Sequence, residues 1–410
     1  MISPKDSNVK SARKYHRDKA LTSLELFAGA GGLALGVHAA GFQLVGLVEQ
    51  DKFAVETLRH NSQEILGLNP DLVLHCDARK VDYKQFVSVD LLSAGPPCQP
   101  FSTAGRSVGK DDPRNMFPVF VEAVALLMPK AILVENVKGL LREKFQDYFN
   151  YILKCIEFPL EKIREGEDWL NHYQRLQKIK KNEILTCEQY DVAFQVVDTA
   201  DFGIPQRRER VVITAFRRDL GIEAFTLKET HSKEALLIDQ WITGTYWKRH
   251  HVSPHDYLGP KDKKILNQLE NKSPIININE RLPWRTVRDV VSNLPEPVHR
   301  GCQENFSNHV QHPGARTYRC HIGSFYDYPA KALKAGTNGT PGGENIVRMP
   351  PDDAVRYFTT RESARLHTFP DKWRFYGTWG ACIRQLGNAV PVDMAKLFAE
   401  EIYQRLINVE

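Results

Sequence analysis

The chain has 410 residues, 42% hydrophobic and 26% charged, which describes an ordinary globular protein with room for two cored domains and excludes a disordered or fibrous chain. A net charge of +5 permits a nucleic-acid partner without requiring one. The seven cysteines form no CxxC pair, which argues against a disulfide framework or zinc cluster and for a reducing, cytoplasmic setting; no apolar run reaches membrane-spanning length, so no membrane partner is expected.

Residues 1–20 are polar and basic and read as a loose tail rather than a signal peptide. The ordered chain begins at Thr22-Ser23-Leu24-Glu25-Leu26, a short strand running into the turn Phe27-Ala28-Gly29-Ala30-Gly31-Gly32 and an apolar helix over 33–40. Glycines let the backbone approach a ligand, and a helix amino end favours a carboxylate. Alone, this turn could equally hold a dinucleotide. Two acids sharpen it: Glu49 ends the next apolar strand, over 44–48, where a ribose-binding carboxylate sits in such folds, and Asp77 ends a third, over 72–76. Both could also be solvated strand-end acids.

Residues 87–94 read as a strand stopped by Gly95-Pro96-Pro97, with Cys98 held between that turn and Pro100. Prolines fix φ and remove donors, so this cysteine is presented at the carboxyl edge of a sheet, where α/β folds bind ligands. A thiolate nucleophile is the chemical reading and a buried, inert thiol the bland one. The glycine-punctuated stretch 103–114 is an active-site lid or a plain surface loop. A helix over 116–127 and a strand over 131–134 lead to Glu135-Asn136-Val137, an acid at a strand end beside Cys98 and suited to proton work, with Asn136 bracing the turn. Residues 145–189 are charged and helical and read as a solvated insertion. The strand over 190–197 is followed by the corner Asp201-Phe202-Gly203-Ile204-Pro205 and by Gln206-Arg207-Arg208-Glu209-Arg210. In an extended run Arg208 and Arg210 share a face, where two guanidiniums bind carbonyls or carboxylates and lower a thiol's pKa; a basic edge strand is the alternative.

From 217 to 356 the strand–helix rhythm is lost among Pro, Gly, Asn and aromatics, with Tyr246-Trp247-Lys248-Arg249-His250-His251 and Arg316-Thr317-Tyr318-Arg319 interleaving basic and aromatic groups. His309 and His312 with Cys302 or Cys320 have the wrong spacing for zinc, and no metal site is expected. Thr286 to Pro295 looks like a capped short helix, and Thr359-Thr360 caps a second that Pro370 ends. Gln385-Leu386-Gly387-Asn388-Ala389-Val390-Pro391 opens a terminal helix over 394–406.

Gly95-Pro96-Pro97-Cys98-Gln99-Pro100-Phe101-Ser102 resembles the nucleophile motif of the S-adenosyl-L-methionine-dependent cytosine-C5 DNA methyltransferases of bacterial restriction-modification type, and the remaining motifs follow in that family's order. The resemblance implies a Rossmann-like α/β sheet with a smaller, irregular target-recognition domain. The expected layout is 21–216 and 376–410 for a discontinuous catalytic domain and 217–375 for target recognition. It implies Cys98, Glu135, Arg208 and Arg210 as catalytic residues: Glu135 grips the base and protonates its ring nitrogen, Arg210 reaches the cytosine carbonyl, and Arg208 supports Glu135. It assigns the cofactor to Phe27, Ala28, Gly29, Gly31, Gly32, Glu49, Asp77, Pro97, Asn388 and Val390. Of these, Phe27 stacks near adenine, Glu49 takes the ribose hydroxyls and Asp77 the adenine amino group. S-adenosylhomocysteine is the implied product, double-stranded DNA the substrate, a monomer the implied state, and a restriction endonuclease of the same site an expected partner. Three alternatives are a tRNA-methylating branch with smaller recognition regions, a non-catalytic DNA-binding relative, and a nicotinamide dehydrogenase, which leaves Pro-Pro-Cys unexplained.

Overall fold

The computed structural model describes residues 20–97, 115–179, 186–254, 258–270, 281–299, 301, 306–319, 322–335, 343–350, 352 and 354–409. The tail, Cys98, the 103–114 stretch, Cys302, Cys320 and the turn at 338–342 lie outside the described residues.

The core is a seven-stranded sheet built from β1 (Thr22–Leu26), β2 (Gln43–Glu49), β3 (Val73–His75), β4 (Leu91–Ala94), β5 (Ala131–Val137), β6 (Tyr190–Asp198) and, after a two-residue β7 (Gln206–Arg207), β8 (Glu209–Arg217). Its order is β3-β2-β1-β4-β5-β8-β6, with the first five strands parallel and β8 antiparallel to both β5 and β6. Strand order reverses between β1 and β4, the crevice where such sheets bind ligands. Both faces of the central strands are covered: all five residues of β1 and all four of β4 are buried, polar Thr22, Ser23, Glu25 and Ser93 among them.

Helices α1 (Gly32–Ala39) and α2 (Lys52–Leu66) cover one face together with the last helix. Helices α3 (Phe117–Leu127) and α4 (Gln146–Glu157) cover the other, joining Leu24, Leu26 and Leu92 through Phe117, Phe120, Phe149 and Ile152. Helix α4 is therefore part of the sheet's own cover. The expected solvated insertion reduces to the segment after it, which includes α5 (Trp169–Gln177). The strand expected over 87–94 begins only at Leu91, although Asp90 still bonds both neighbouring strands, its amide donating to Thr22 O (3.1 Å) and its carbonyl accepting from the Ala131 amide (2.8 Å), while its carboxylate accepts from the Thr22 amide (2.7 Å).

The irregular region holds β9 (His231–Ser232), α6 (Lys233–Leu237), α7 (Thr245–His250), α8 (Pro260–Glu270), β10 (Leu282–Pro283), α9 (Val287–Val291), β11 (Ser324–Phe325), β12 (Ala330–Lys331), β13 (Ile346–Met349), β14 (Ala354–Tyr357) and α10 (Thr360–Leu366). It has its own core of Val287, Tyr326, Leu333, Val347, Phe358 and Leu366. Both anticipated helices are capped as their sequences suggest, by reciprocal Thr286/Asp289 and Thr359/Glu362 boxes. The chain returns to the sheet earlier than residue 376: Phe369, Trp373 and Phe375 already belong to the sheet's core, as do Ile222 and Phe225 at the outgoing end. Helices α11 (Trp379–Asn388) and α12 (Val392–Ile407) complete the fold.

Candidate active site

At the carboxyl edge of β1, β2, β4 and β5 lies a cavity of about 230 Å³. Its floor is the glycine turn. Phe27 has φ +58°, unusual for a side chain with a Cβ, and its ring forms part of the wall. Gly29, at φ +54°, donates its amide to Glu49 Oε2 (2.7 Å), and an added Cβ there would meet no protein atom within 4 Å, so the turn faces open space. Ala28 is tied to β2 through the Val48 carbonyl (3.0 Å). Gly31 and Gly32 serve packing instead: a Cβ on Gly31 would come 2.9 Å from the Trp373 ring, and one on Gly32 would overlap the Val390 carbonyl oxygen. Val390 therefore acts through its backbone, pressed onto the start of α1, and these three with Ala28 do not line the cavity.

Glu49 lines the cavity with both oxygens engaged, Oε1 accepting from the Gln50 and Asp51 amides (2.8 and 2.7 Å). Such bonds lock the rotamer; Oε1 has both lone pairs engaged, while Oε2, with one acceptance, keeps a lone pair for a hydroxyl. Asp77 also lines it. Its carboxylate is chelated by Arg79 (Nη2–Oδ2 2.5 Å), which holds it below the usual carboxylate range. Pro97 and Asn388 complete the expected set at this cavity.

The reactive end lies where β5 meets β8. Val137 pairs with Arg210 in the ladder, and across that pairing Arg210 Nε sits 2.6 Å from Glu135 Oε1. The contact is an ion pair without hydrogen-bond alignment, so buried Oε1 accepts no aligned bond among the described residues. A buried oxygen facing a cavity in that condition suits a substrate donor. Asn136 Nδ2 donates to Pro96 O (3.2 Å) and its Oδ1 accepts from the Val137 amide (2.9 Å), fastening the acid's strand to the turn two residues before Cys98. That is the bracing role expected of it.

Arg208 departs from expectation. It does not share Arg210's partner: Nη1 donates to Leu333 O (3.2 Å), and Nη2 to Gly387 O (2.8 Å) and Ala389 O (3.1 Å). The two arginines nevertheless lie on the same, inward side of the run, with Arg207 and Glu209 exposed, and both line the cavity, as alternation along an extended run predicts. The wall residues missed from sequence include Asp51, Cys76, Arg384 and Gln385. Asp51 had a signal, as N-cap of α2 directly after Glu49, accepting from the Phe53 and Ala54 amides. Arg384 and Gln385 lie one helical turn before Asn388 on α11, and that spacing was the clue.

The glycine turn, its open face and the anchored acid fit an adenosyl cofactor, and no group of three or more potential metal-ligating side chains occurs among the described residues. No helix among them is long and apolar enough to cross a membrane.

The model for C-5 cytosine-specific DNA methylase matches residues 21–158 and 169–404, skipping the stretch just before α5. The chain is 32% identical over 394 residues to the type II methyltransferase M.PspPI of Psychrobacter sp. (strain TA137), covering 95% of this chain and 80% of that protein. It is 32% identical over 382 residues to the type II methyltransferase M.Eco47II of Escherichia coli, covering 91% and 76%. Among solved structures, S. pombe Dnmt2 methyltransferase superposes with a TM-score of 0.52 at 18% identity, covering 95% of this chain and 99% of that one, a likeness of fold. With a cavity walled by a braced acid–arginine pair and a family match over most of its length, the chain belongs to the C-5 cytosine-specific DNA methylase family and is a DNA (cytosine-5-)-methyltransferase.

Proposed function

We propose that this enzyme methylates C5 of a cytosine extruded from a specific duplex DNA sequence, with S-adenosyl-L-methionine as donor and S-adenosylhomocysteine as product. A role in protecting DNA within a type II restriction-modification system, beside an endonuclease of the same specificity, follows by analogy with the relatives' names. The reading further takes the enzyme as a cytoplasmic monomer.

Pyrimidine C5 is a weak nucleophile, so covalent activation must come first. In the proposed mechanism the Cys98 thiolate forms a bond to C6 as Glu135 delivers a proton to N3, and the C5–C6 double bond becomes an enamine. Arg210, 2.6 Å from Glu135, stabilises the charge growing on O2 and holds the acid in place. When bound, the cofactor supplies an electrophilic methyl group on sulfonium sulfur. Once C5 carries the methyl group, its proton would pass to a base as the C6–S bond breaks and N3 returns its proton to Glu135, restoring the thiolate, the acid and the neutral aromatic ring. Phe27, Gly29, Glu49, Asp77 and Asn388 would hold the donor against the sheet edge, with Pro97, the residue before Cys98 in sequence, in the same wall. Carbon and thiol cannot meet within stacked DNA, so extrusion is required, at a cost of roughly a few kcal/mol.

The observation that carries this reading is the Glu135–Arg210 pair in the cavity wall, with its neighbour Asn136 bonded to the turn that leads into Cys98. Expression in a host lacking cytosine methylation, followed by bisulfite sequencing, should reveal one recurrent sequence with a protected cytosine. Duplex DNA carrying 5-fluorocytosine at that base should then yield a stable adduct on Cys98 when the methyl donor is added. Absence of an adduct, with binding intact, overturns the mechanism.

A further inference from the structure

Residues 206–208 form a junction between three parts of the chain. Strand β7 pairs in parallel with β12 of the target-recognition region, the Ala330 amide donates to Pro205 O (2.9 Å), and the Leu333 amide donates to Gln206 Oε1 (3.3 Å). Beyond them the buried Arg208 guanidinium spans both sides of a seam. One nitrogen bonds Leu333 O, whose side chain is embedded in the recognition core; the other bonds Gly387 O and Ala389 O, at the end of the helix that supplies the cavity wall. Gly387 itself touches the recognition region directly, since a Cβ there would overlap the Ala335 backbone. Backbone from the recognition region and backbone from the cofactor wall are thus in contact, and one planar cation bonds carbonyls of both.

A guanidinium's donors lie in a fixed fork, so moving one carbonyl set turns the plane presented to the other. The charge is buried, so it cannot exchange either set for water without penalty. We propose that Arg208 is a positioning residue coupling the target-recognition region to the cofactor cavity: DNA seated on the first raises affinity for cofactor in the second, and cofactor raises affinity for DNA by the same factor. This rests on the reading of the cavity as the adenosyl site and of the irregular region as the DNA-facing one.

The test uses the full-length chain, S-adenosylhomocysteine as probe, and a duplex carrying the sequence identified by bisulfite sequencing. Calorimetry should show wild-type affinity for the probe rising about tenfold when the duplex is present. In Arg208→Lys, whose single ammonium cannot bond both carbonyl sets in the same fork, that ratio should fall towards one; Gly387→Ala, acting from the other side of the seam, should do the same. A folded Arg208→Lys protein that keeps the wild-type ratio overturns the proposal, as does a wild type with no ratio to lose. Hydrogen exchange on the wild type needs no variant: the probe alone should slow exchange at 330–335, and the duplex alone at 386–390. Unchanged exchange in either segment also overturns it. A wild type that binds neither probe nor duplex overturns the functional reading and this proposal with it.

Discussion

Glu25 is the most exposed to test of the buried groups beneath the site. It lies in the middle of the sheet, 1% exposed, accepting from Ser93 Oγ on the neighbouring strand (3.3 Å). Burial raises its carboxyl from the ordinary 4.5 to about 8, opposed in part by the Ser93 and Ala34 hydrogen bonds. The folded value is thus above the unfolded one, and folding takes up a proton wherever the pH lies between them. The associated stability is fully present below pH 4.5 and is lost as the pH rises to about 8. At about 1.4 kcal/mol per pH unit, the loss between pH 5 and 8 is on the order of 4 kcal/mol, a large part of a typical total of roughly 5–15 kcal/mol. Glu25→Gln keeps the shape and one donor of the protonated acid but does not titrate. Urea unfolding of both proteins at pH 5, 6, 7 and 8 should give a variant that gains on the wild type steadily with pH, by about that amount in total. A difference between the two that stays level from pH 5 to pH 8, within about 1 kcal/mol, refutes the assignment of a buried, neutral carboxyl.

Three further outcomes bear on the site. Cys98→Ala should abolish transfer of tritiated methyl to DNA while cofactor binding by calorimetry persists; substantial turnover removes the cysteine from the mechanism. Glu135→Gln should lower kcat by roughly 10²–10⁴-fold, the range for a positioned proton donor, with probe affinity little changed, and single-turnover kinetics separates the two. Gly32→Ala should destabilise the chain by roughly 1–3 kcal/mol through overpacking against the Val390 carbonyl; an unaltered melting temperature contradicts the packing role given to that glycine.

The parts legible in the sequence were those whose backbone demands leave a local mark. The Phe27–Gly32 turn, the strand-end acid Glu49 and the reciprocal caps at Thr286 and Thr359 lie where their patterns place them, while Asp77 lies two residues past β3 and Glu135 within β5, which runs on to Val137, both still in the cavity wall. What failed were readings that averaged over a stretch. Charge interleaving after residue 145 hid the helical spacing of Tyr148, Phe149, Ile152 and Ile156, the face α4 buries against the sheet. Alternation put Arg208 and Arg210 on one inward side, as found, but could not show that the Arg208 side chain takes partners 125 to 181 residues away in sequence. Such partners leave no periodicity to read.

The first and last helices covering the sheet meet at a close-packed seam. Gly36 of α1 admits α12 so closely that a Cβ would lie 2.5 Å from that of Ala395, and Gly32 admits the Val390 carbonyl one turn earlier. Val37, Phe398 and Ile402 share the core cluster that results. The α11–α12 connection is therefore pinned at both glycines before Asn388 can reach the cavity, and the same contacts that complete the hydrophobic layer set the cofactor wall. Chain ends separated by about 350 residues of sequence thus cannot be treated as a fold plus an appended ligand loop. A truncation that removes 389–410 would expose the apolar faces of α1 and β5 and remove the backbone that locates Gly387 and Asn388, so stability and cofactor affinity should be lost together rather than in sequence.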